Sequence, residues 1–232
     1  MKRIAVLCLA AAVSSFASAV VIMDQIGANP ADVSATGTAA SQDFETSLDA
    51  YDIGVLDNFN TTAQTTITSV DAFMGGWNGF TSFTNILFYR VEIFSSVAAA
   101  ASSLTGDVGS ATVGVGSAIV NTGYTGETAS ALVTLPVNIV VPTAGTYFVS
   151  VMGRMDFTPN GQVGIRGSNY AGAFPGGTDA MQANPGGGFQ QGTSFPTNAM
   201  AADRSEGSVV PEPTTMAGLG LALVALARRL RK

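Results

Sequence analysis

The chemistry available to this chain is limited first by the residue types that it lacks. The 232-residue sequence contains no histidine and one cysteine, Cys8. Histidine is the usual general base, the base of serine triads and a frequent metal ligand, so these kinds of site are excluded. The sequence also contains neither a Gly-x-Ser-x-Gly motif nor a glycine-rich phosphate loop. Carboxylates therefore remain as the main groups for acid–base or metal chemistry.

Several carboxylates follow one another at short spacing early in the chain: Asp43, Glu45, Asp49, Asp52 and Asp57. Two of them could form the carboxylate pair of a glycosidase. Solvated residues in turns explain the same cluster more simply. We therefore expect that the protein is not an enzyme and has no catalytic residues.

Calcium binding is a second use that the same region could have. Ca²⁺ takes about six to eight oxygen ligands from carboxylates, amides and backbone carbonyls. Asp52, Asp57, Asn58 and Asn60 could supply such ligands, although the spacing of an EF-hand is absent. Apart from this structural calcium ion, which stays an open alternative, the sequence predicts no cofactor.

Trp77 is the only tryptophan, and it lies among glycines in the segment Gly75-Gly76-Trp77-Asn78-Gly79-Phe80. An exposed tryptophan is a typical contact for a sugar ring, so Trp77 is a candidate ligand contact. The alternative is a core tryptophan at a tight turn, which the flanking glycines also fit.

The charge is distributed unevenly along the chain. All but one of its 16 acidic residues lie in residues 20–208, whereas six of its ten basic residues lie outside that range. A strongly negative surface repels nucleic acid and favours solubility in an extracellular medium. Nucleic acid is therefore excluded as a partner.

Residues 1–19 have the three-part order of a secretory signal peptide. A basic start is followed by an apolar run and by small residues at the cleavage site: Lys2 and Arg3, residues 4–13, and Ala17-Ser18-Ala19. Signal peptidase is thus an expected partner, and cleavage after Ala19 would make Val20 the new N-terminus. Because Cys8 would leave with the signal peptide, the mature chain would have no thiol and no disulfide. An uncleaved N-terminal anchor is the alternative.

The sequence pattern of the exported region, residues 20–208, predicts β-strands as the elements that would position any functional site. Polar and apolar residues alternate or β-branched residues dominate in residues 51–59, 66–73, 86–94, 131–141 and 146–157, which is typical of strands. Pro136 indicates an edge strand or a bend. The Thr158-Pro159-Asn160-Gly161 turn signal predicts that residues 162–166 return as a hairpin partner of residues 146–157.

The remaining segments are less regular. Residues 95–104 fit either a short helix or a flexible loop, and residues 172–196 form a long loop rich in glycine and proline. Part of that loop is expected to pack through Phe174, Phe189 and Phe195. Residues 199–206 are a candidate last strand, followed by a linker at residues 205–209. Many short strands separated by turns predict an all-β fold, a single antiparallel β-sandwich of jelly-roll type.

The C-terminal tail, residues 209–232, has three parts in a fixed order. These are the motif Val210, Pro211, Glu212 and Pro213, the uncharged apolar residues 214–227, and the basic residues Arg228, Arg229, Arg231 and Lys232. The prolines favour an extended backbone, and the Leu- and Ala-rich run favours a helix. The basic end is a stop signal held on the cytoplasmic side of a membrane.

The apolar run predicts a transmembrane helix after the exported domain. At about 1.5 Å per residue the run measures roughly 21 Å, which is short of a full span, and snorkelling arginines reduce the difference. An amphipathic or buried terminal helix of a soluble domain is the alternative.

The order of motif, apolar run and basic end resembles the PEP-CTERM sorting tail of exported proteins in Gram-negative bacteria. The same tail is also labelled an ice-binding protein C-terminal motif, a name that does not imply ice binding. The resemblance implies that an exosortase recognises Pro211-Glu212-Pro213 in the membrane and processes the tail. It also implies an association with exopolysaccharide and the biofilm matrix.

Together these features predict a signal peptide at residues 1–19, an exported β-sandwich domain at residues 20–208 and a sorting tail at residues 209–232. The protein is expected in the cell envelope, anchored by the tail helix before processing and then at the cell surface or in the extracellular matrix. Its exported domain is expected to be structural or adhesive. A carbohydrate-binding domain, or less readily a carbohydrate-degrading one, is the alternative.

Overall fold

The computed structural model describes residues 20–33, 37–126, 129–168, 180–188, 200–201 and 203–209. Within these residues most of the chain is β-strand: β1 (Val20–Asp24), β2 (Thr38–Ala40), β3 (Gln42–Asp43), β4 (Gly54–Thr61), β5 (Thr65–Trp77), β6 (Phe88–Phe94), β7 (Gly109–Gly114), β8 (Ile119–Asn121), β9 (Ser130–Val141), β10 (Gly145–Arg154), β11 (Gln162–Ser168), β12 (Met181–Ala183), β13 (Met200–Ala201) and β14 (Asp203–Val209). The helices are short: α1 (Val97–Ser102), α2 (Phe157–Asn160) and 3-10 turns at Pro30–Asp32, Thr46–Tyr51 and Phe83–Asn85.

The strands form two sheets. The eight-stranded sheet has the order β1-β14-β5-β11-β13, with β9 on the other side of β5, β8 beside β9, and β2 beside β11. The six-stranded sheet has the order β12-β4-β10-β6-β7. Every pairing is antiparallel except a two-residue parallel contact of β3 with β10. The prediction of a mostly β fold with antiparallel sheets and few helices is therefore confirmed.

One apolar core lies between the two sheets. Alternate residues of β5, β9 and β11 meet alternate residues of β4, β6 and β10 there, among them Ile67, Leu135, Tyr89, Val149 and Val151. A second, smaller cluster covers the opposite face of the six-stranded sheet, where α1 and β12 pack over Leu56, Phe94 and Met152. Burial of both faces explains why residues 86–94 carry apolar side chains at odd and even positions alike.

Residues 95–104 contain α1, so the helix alternative for this segment is confirmed. Ser96 caps the helix, because its side chain accepts a hydrogen bond from the Ala99 N–H. Two residues expected on core faces lie outside the core instead. Leu87 precedes β6 and is 57% exposed, and Phe157 begins α2 and is 36% exposed.

The predicted hairpin between residues 146–157 and 162–166 is wrong. β10 pairs with β4 and β6, whereas β11 pairs with β5 and β2 in the other sheet. The turn between them contains α2 and ends at Gly161, whose φ of 80° favours glycine. This turn carries the chain from one sheet to the other, so β11 cannot pair with the strand that precedes it.

Pro136 lies at an edge of the sheet, in agreement with the expected edge strand or bend. In β9 it is opposite Ser69 of β5, next to a register shift between Ile67 and Ser69. β8 pairs only with residues 132–134 of β9, so the second half of β9 has β5 as its partner on one side. A proline without an N–H is tolerated at such an edge.

The chain changes sheets between β2 and β3, and two buried polar residues hold the crossing together. The Ser41 Oγ donates to the Val151 carbonyl at 2.6 Å and accepts from the Val55 N–H at 3.1 Å. The Gln42 side chain donates to the Met155 carbonyl at 2.9 Å and accepts from the Val163 N–H at 2.8 Å. Both residues are completely buried. They therefore join β4, β10 and β11 across the two sheets.

The C-terminal part of the described chain differs from the expected linker. Residues 205–209 lie in β14, which pairs with β1 on one side and β5 on the other. No helix within the described residues is long and apolar enough to cross a membrane. The predicted tail helix at residues 214–227 and residues Phe174, Phe189 and Phe195 of the long loop lie outside the described residues.

The crossing at Gln42 gives a stability prediction. Gln42→Ala should lower the free energy of unfolding of the exported domain by about 2–4 kcal/mol, because the Val163 N–H and the Met155 carbonyl would both lose their buried partner. Urea denaturation measures this loss. Gln64→Ala, at an exposed position of the β4–β5 connection, is the matched control and should change stability by less than about 0.5 kcal/mol. Equal stability of the two variants would contradict the assigned role of Gln42.

Candidate functional site

The strand directions give the domain two ends that carry different features. At the tail end, β14 finishes at Val209, paired with Thr65 at the start of β5, and β1 begins at Val20, paired with Gly207. At the distal end, β5 finishes at Trp77, paired with Gln162 at the start of β11. Twelve residue steps along β5, from Thr65 to Trp77, separate the ends by roughly 40 Å.

The distal end contains an apolar cavity of about 330 Å³. Its lining residues are Phe44, Leu48, Tyr51, Phe157 and Gln162. The rings of Phe44 and Phe157 are 6.3 Å apart between centroids and are tilted by 60°. Tyr51 is 42% exposed and Phe157 is 36% exposed, so two aromatic rings are accessible at this cavity. An aromatic, mainly apolar lining with few polar groups is typical of a binding site for an organic ligand.

Carboxylates of the early acidic cluster hold the walls of this cavity in place. The Glu45 carboxylate accepts a hydrogen bond from the Phe157 N–H at 2.7 Å, and Asp52 Oδ1 accepts from the Phe44 N–H at 2.7 Å. The 3-10 turn Thr46–Tyr51 lies between these two acids. The Gly188 N–H and the Asn184 amide fix the end of the turn through the Ala50 carbonyl, at 2.9 and 3.0 Å.

Asp52 is the acid whose ionisation the surroundings perturb most clearly. The pKa of Asp52 is raised to about 6 from its ordinary value of 3.8, chiefly by burial and also by the neighbouring negative charges of Asp43 and Asp49. The hydrogen bond from Phe44 and the charge of Arg90 act in the opposite direction. Asp52 therefore changes its charge in a mildly acidic medium, beside the cavity.

Trp77 lies next to the cavity and is half-buried. It is directly opposite Gln162 in the β5–β11 pairing, so the two side chains share a face of the sheet. Asn78 donates a hydrogen bond from its amide to Gln162 Oε1. The space beside the two preceding glycines is filled, because a Cβ at Gly76 would come within 2.1 Å of the Phe80 ring and a Cβ at Gly75 within 2.4 Å of Arg166.

The four candidate calcium ligands are spread along the domain. Asp52 lies at the distal end, whereas Asn60 lies near the tail end and accepts from Thr146 Oγ at 2.6 Å. Asp57 is 1% exposed, and its carboxylate accepts from the Asn58 N–H at 2.8 Å. The length of β4 separates Asp52 from Asn60 by roughly 20 Å, so these residues do not share one site. Among the described residues there is no group of three or more acidic side chains that could hold a metal ion.

A largely buried ion-pair network also uses the early acids, and no expectation from the sequence pointed to it. The Arg90 guanidinium contacts Asp43 at 3.0 Å and Glu92 at 2.8 Å, and it donates to the Leu104 carbonyl at 2.9 Å. The second oxygen of Glu92, which is completely buried, accepts from the Gly106 N–H at 2.8 Å. Burial opposes the charge of Arg90, but Glu92 and Asp43 outweigh it and raise the pKa of Arg90.

This network has a structural role. It ties β3 and β6 to the segment after α1, and Arg154 extends it through contacts with Asp43 at 3.6 Å and Asp156 at 2.9 Å. A signal for it was present in the sequence, because Arg90 and Glu92 alternate on one face of an otherwise apolar strand.

The sorting tail follows the tail end of the domain directly, since Val209 is the last residue of β14. One family model matches the chain, and it matches there. The match is to the PEP-CTERM protein-sorting motif, over residues 209–232. Neither the curated proteins nor the solved structures contain a significant match to the chain.

The PEP-CTERM motif indicates an exported protein that an exosortase-type enzyme processes and that is sorted to the cell envelope or surface. The motif residues Val210, Pro211, Glu212 and Pro213, the basic residues Arg228, Arg229, Arg231 and Lys232, and the signal-cleavage residues Ala17 and Ala19 lie outside the described residues. The match over residues 209–232 confirms the resemblance of the tail to the PEP-CTERM sorting motif.

The raised pKa of Asp52 predicts a pH-dependent gain in stability for Asp52→Asn. The folded-state pKa lies above the unfolded one, so the wild-type stability falls as the pH rises through about 6. Asparagine can still accept from the Phe44 N–H but carries no charge. At pH 7.5 the variant should be more stable by about 1 kcal/mol after solvent screening, and the gain should disappear near pH 4.

Thermal denaturation at the two pH values measures this difference. Asp49→Asn, which removes only a neighbouring charge, is the comparison and should give a smaller gain in the same direction. A gain for Asp52→Asn that is equal at both pH values would show that ionisation of Asp52 is not its cause.

Proposed function

We propose that this protein is an exosortase substrate whose exported domain serves as a structural or adhesive part of the cell envelope or extracellular matrix, in association with exopolysaccharide or biofilm. The observation that carries this proposal is the PEP-CTERM motif at residues 209–232, immediately after the last strand of a β-rich domain. The motif supports the sorting step, and the absence of histidine supports a role other than histidine-based catalysis.

In this proposal the domain is a jelly-roll-like β-sandwich, and residues 214–227 form a membrane helix that anchors it until the tail is processed. A shared core between two antiparallel sheets supports the sandwich. The apolar run followed by four basic residues supports the anchor. A domain whose mature chain has no cysteine depends on its core and on the buried network around Arg90 for stability outside the cell.

Glu212→Ala tests the sorting step. Glu212 is the single charge between two prolines that keep the motif extended. The variant should be exported and should accumulate full-length in the membrane fraction, because the processing enzyme has lost the charged group of its substrate. Immunoblotting of membrane and medium fractions measures this.

A host without an exosortase is the control, and in it the parent and the variant should both remain full-length. Replacing Arg228, Arg229, Arg231 and Lys232 together should instead weaken membrane retention. If Glu212→Ala is processed and released like the parent in a host that has the enzyme, the tail acts only as an anchor.

A second candidate function is carbohydrate binding at the distal end, and the cavity there favours it. Exposed aromatic rings of Tyr51 and Phe157 can stack against the C–H face of a sugar, and the polar side chain of Gln162 lies among the lining residues. Trp77 shares the face of Gln162. The cavity is bordered by Glu45, Asp49 and Asp52, so a neutral or cationic saccharide fits its charge better than an anionic one.

Tyr51→Ala should weaken binding of the exported domain to extracted exopolysaccharide about tenfold, which corresponds to about 1.4 kcal/mol for one lost stacking contact. Trp77→Ala should weaken it by a smaller factor. Isothermal titration measures the affinities, and circular dichroism confirms that the variants are folded. Ile119→Ala, an apolar residue that is 65% exposed and does not line the cavity, is the control. Parent-like binding by Tyr51→Ala would exclude this cavity as the sugar site.

A further inference from the structure

The tail end of the domain is connected to the sorting tail without a linker. β14 stays paired with β5 up to Val209, which is opposite Thr65. Only Val210, Pro211, Glu212 and Pro213 separate it from the apolar run at residue 214. The five Cα–Cα steps from Val209 to residue 214 reach at most about 18 Å. As long as β14 remains in the sheet, the tail end must therefore lie within about 18 Å of the point where the apolar run begins.

The start of the exported chain lies at the same end. β1 and β14 are antiparallel neighbours, and Val20 is paired with Gly207. The position of expected signal-peptide cleavage, after Ala19, is thus beside the start of the sorting tail. The signal segment before Val20 and the apolar run of the tail would therefore extend from the same end of the domain. Both could insert into one membrane before cleavage without any change in the two sheets.

Two of the connections at this end of the domain are uncharged, although Glu206 of β14 lies one residue before Gly207. The β4–β5 connection, residues 62–64, and the β9–β10 connection, residues 142–144, contain no charged residue. Thr62, Gln64, Pro142 and Ala144 are exposed there. The longer β6–β7 connection contributes one acid, Asp107, whose carboxylate accepts hydrogen bonds from the Ser95 N–H and hydroxyl at 2.9 and 2.5 Å.

The distal end has the opposite character. Glu45, Asp49, Asp52 and Asp156 all lie in the connections at that end. An acidic surface is repelled by anionic lipid headgroups, whereas an uncharged polar surface can approach them at little electrostatic cost. The charge distribution therefore favours one orientation of the domain on a membrane.

We propose that the tail end of the domain, formed by Val20 and by residues 62–64 and 142–144, is a membrane-facing surface that lies against the lipid headgroups while the tail is anchored. This proposal rests on the sorting function proposed above. In this orientation the processing enzyme meets Pro211-Glu212-Pro213 between the folded domain and the bilayer. The distal cavity with Tyr51 and Phe157 is held roughly 40 Å away from the membrane, facing the extracellular medium.

Single-cysteine labelling tests this orientation, since Cys8 is the only cysteine of the chain. The full-length protein carries Cys8→Ala and one of three new thiols: Gln64→Cys or Ala144→Cys at the tail end, or Thr81→Cys at the distal end. Each variant is produced in a host without an exosortase and labelled with a fluorophore. It is then reconstituted into phosphatidylcholine–phosphatidylglycerol vesicles that contain a headgroup spin-labelled lipid as quencher.

Fluorescence at positions 64 and 144 should be quenched at least threefold more strongly than at position 81. A variant with a 20-residue Gly/Ser insertion between Val209 and Val210 is the matched control, because its domain is anchored but free to rotate. The difference between the ends should shrink in that variant. Protein that ends at Val209 should show no quenching at any position.

The outcomes separate this proposal from the function on which it rests. If the full-length protein does not float with the vesicles, the anchoring step and the orientation are both wrong. If it floats but the two ends are quenched equally, only the orientation is wrong. If positions 64 and 144 are already shielded from the labelling reagent in protein that ends at Val209, a second copy of the chain, rather than lipid, covers this surface and the proposal is overturned.

Discussion

The hydrogen bonds of Ser41 and Gln42 are the interaction on which the arrangement of the two sheets depends. β2 lies in one sheet and β3 in the other, so the chain passes through the interior between them. A buried backbone crossing leaves polar groups without strand partners, and these groups must be satisfied locally. The two side chains do this for Val55, Val151, Met155 and Val163. The distal cavity is built on this crossing, because Phe44 follows β3 and Phe157 follows β10.

The two ends of the domain differ in charge and in aromatic content. The end that carries Val20 and Val209 is uncharged in two of its connections, and the opposite end carries acids and aromatic rings. Because β1 and β14 are antiparallel neighbours, the first residue of β1 and the last residue of β14 lie at the same end of the domain. This arrangement fits the proposed function, in which the domain is held by its tail and binds through its far end. The Arg90–Glu92–Asp43 network stabilises the six-stranded sheet and ties it to the segment after α1.

Much of the candidate site depended on the tertiary structure because its residues come from distant segments. Phe44 and Tyr51 precede β4, whereas Phe157 and Gln162 flank the crossover between the sheets. That crossover was predicted as a hairpin, since a turn signal after an alternating strand normally returns the chain to its neighbour. A hairpin between β10 and β11 gives no reason to expect a contact between Phe157 and Phe44, which the structure shows. Trp77 was recognised from its residue type, but its position opposite Gln162 followed only from the pairing of β5 with β11.

The sorting tail and the β-rich class are both predictable from local sequence features. The motif, apolar run and basic end act through local chemistry that a linear segment carries with it, and strand alternation is a local consequence of burying one face of a sheet. In contrast, the strand pairing, the inclusion of residues 205–209 in β14 and the position of Val20 beside Gly207 follow only from the folded structure. These features depend on contacts between residues far apart in the chain. Their free energy comes from the shared core and the buried hydrogen bonds, which no single segment contains.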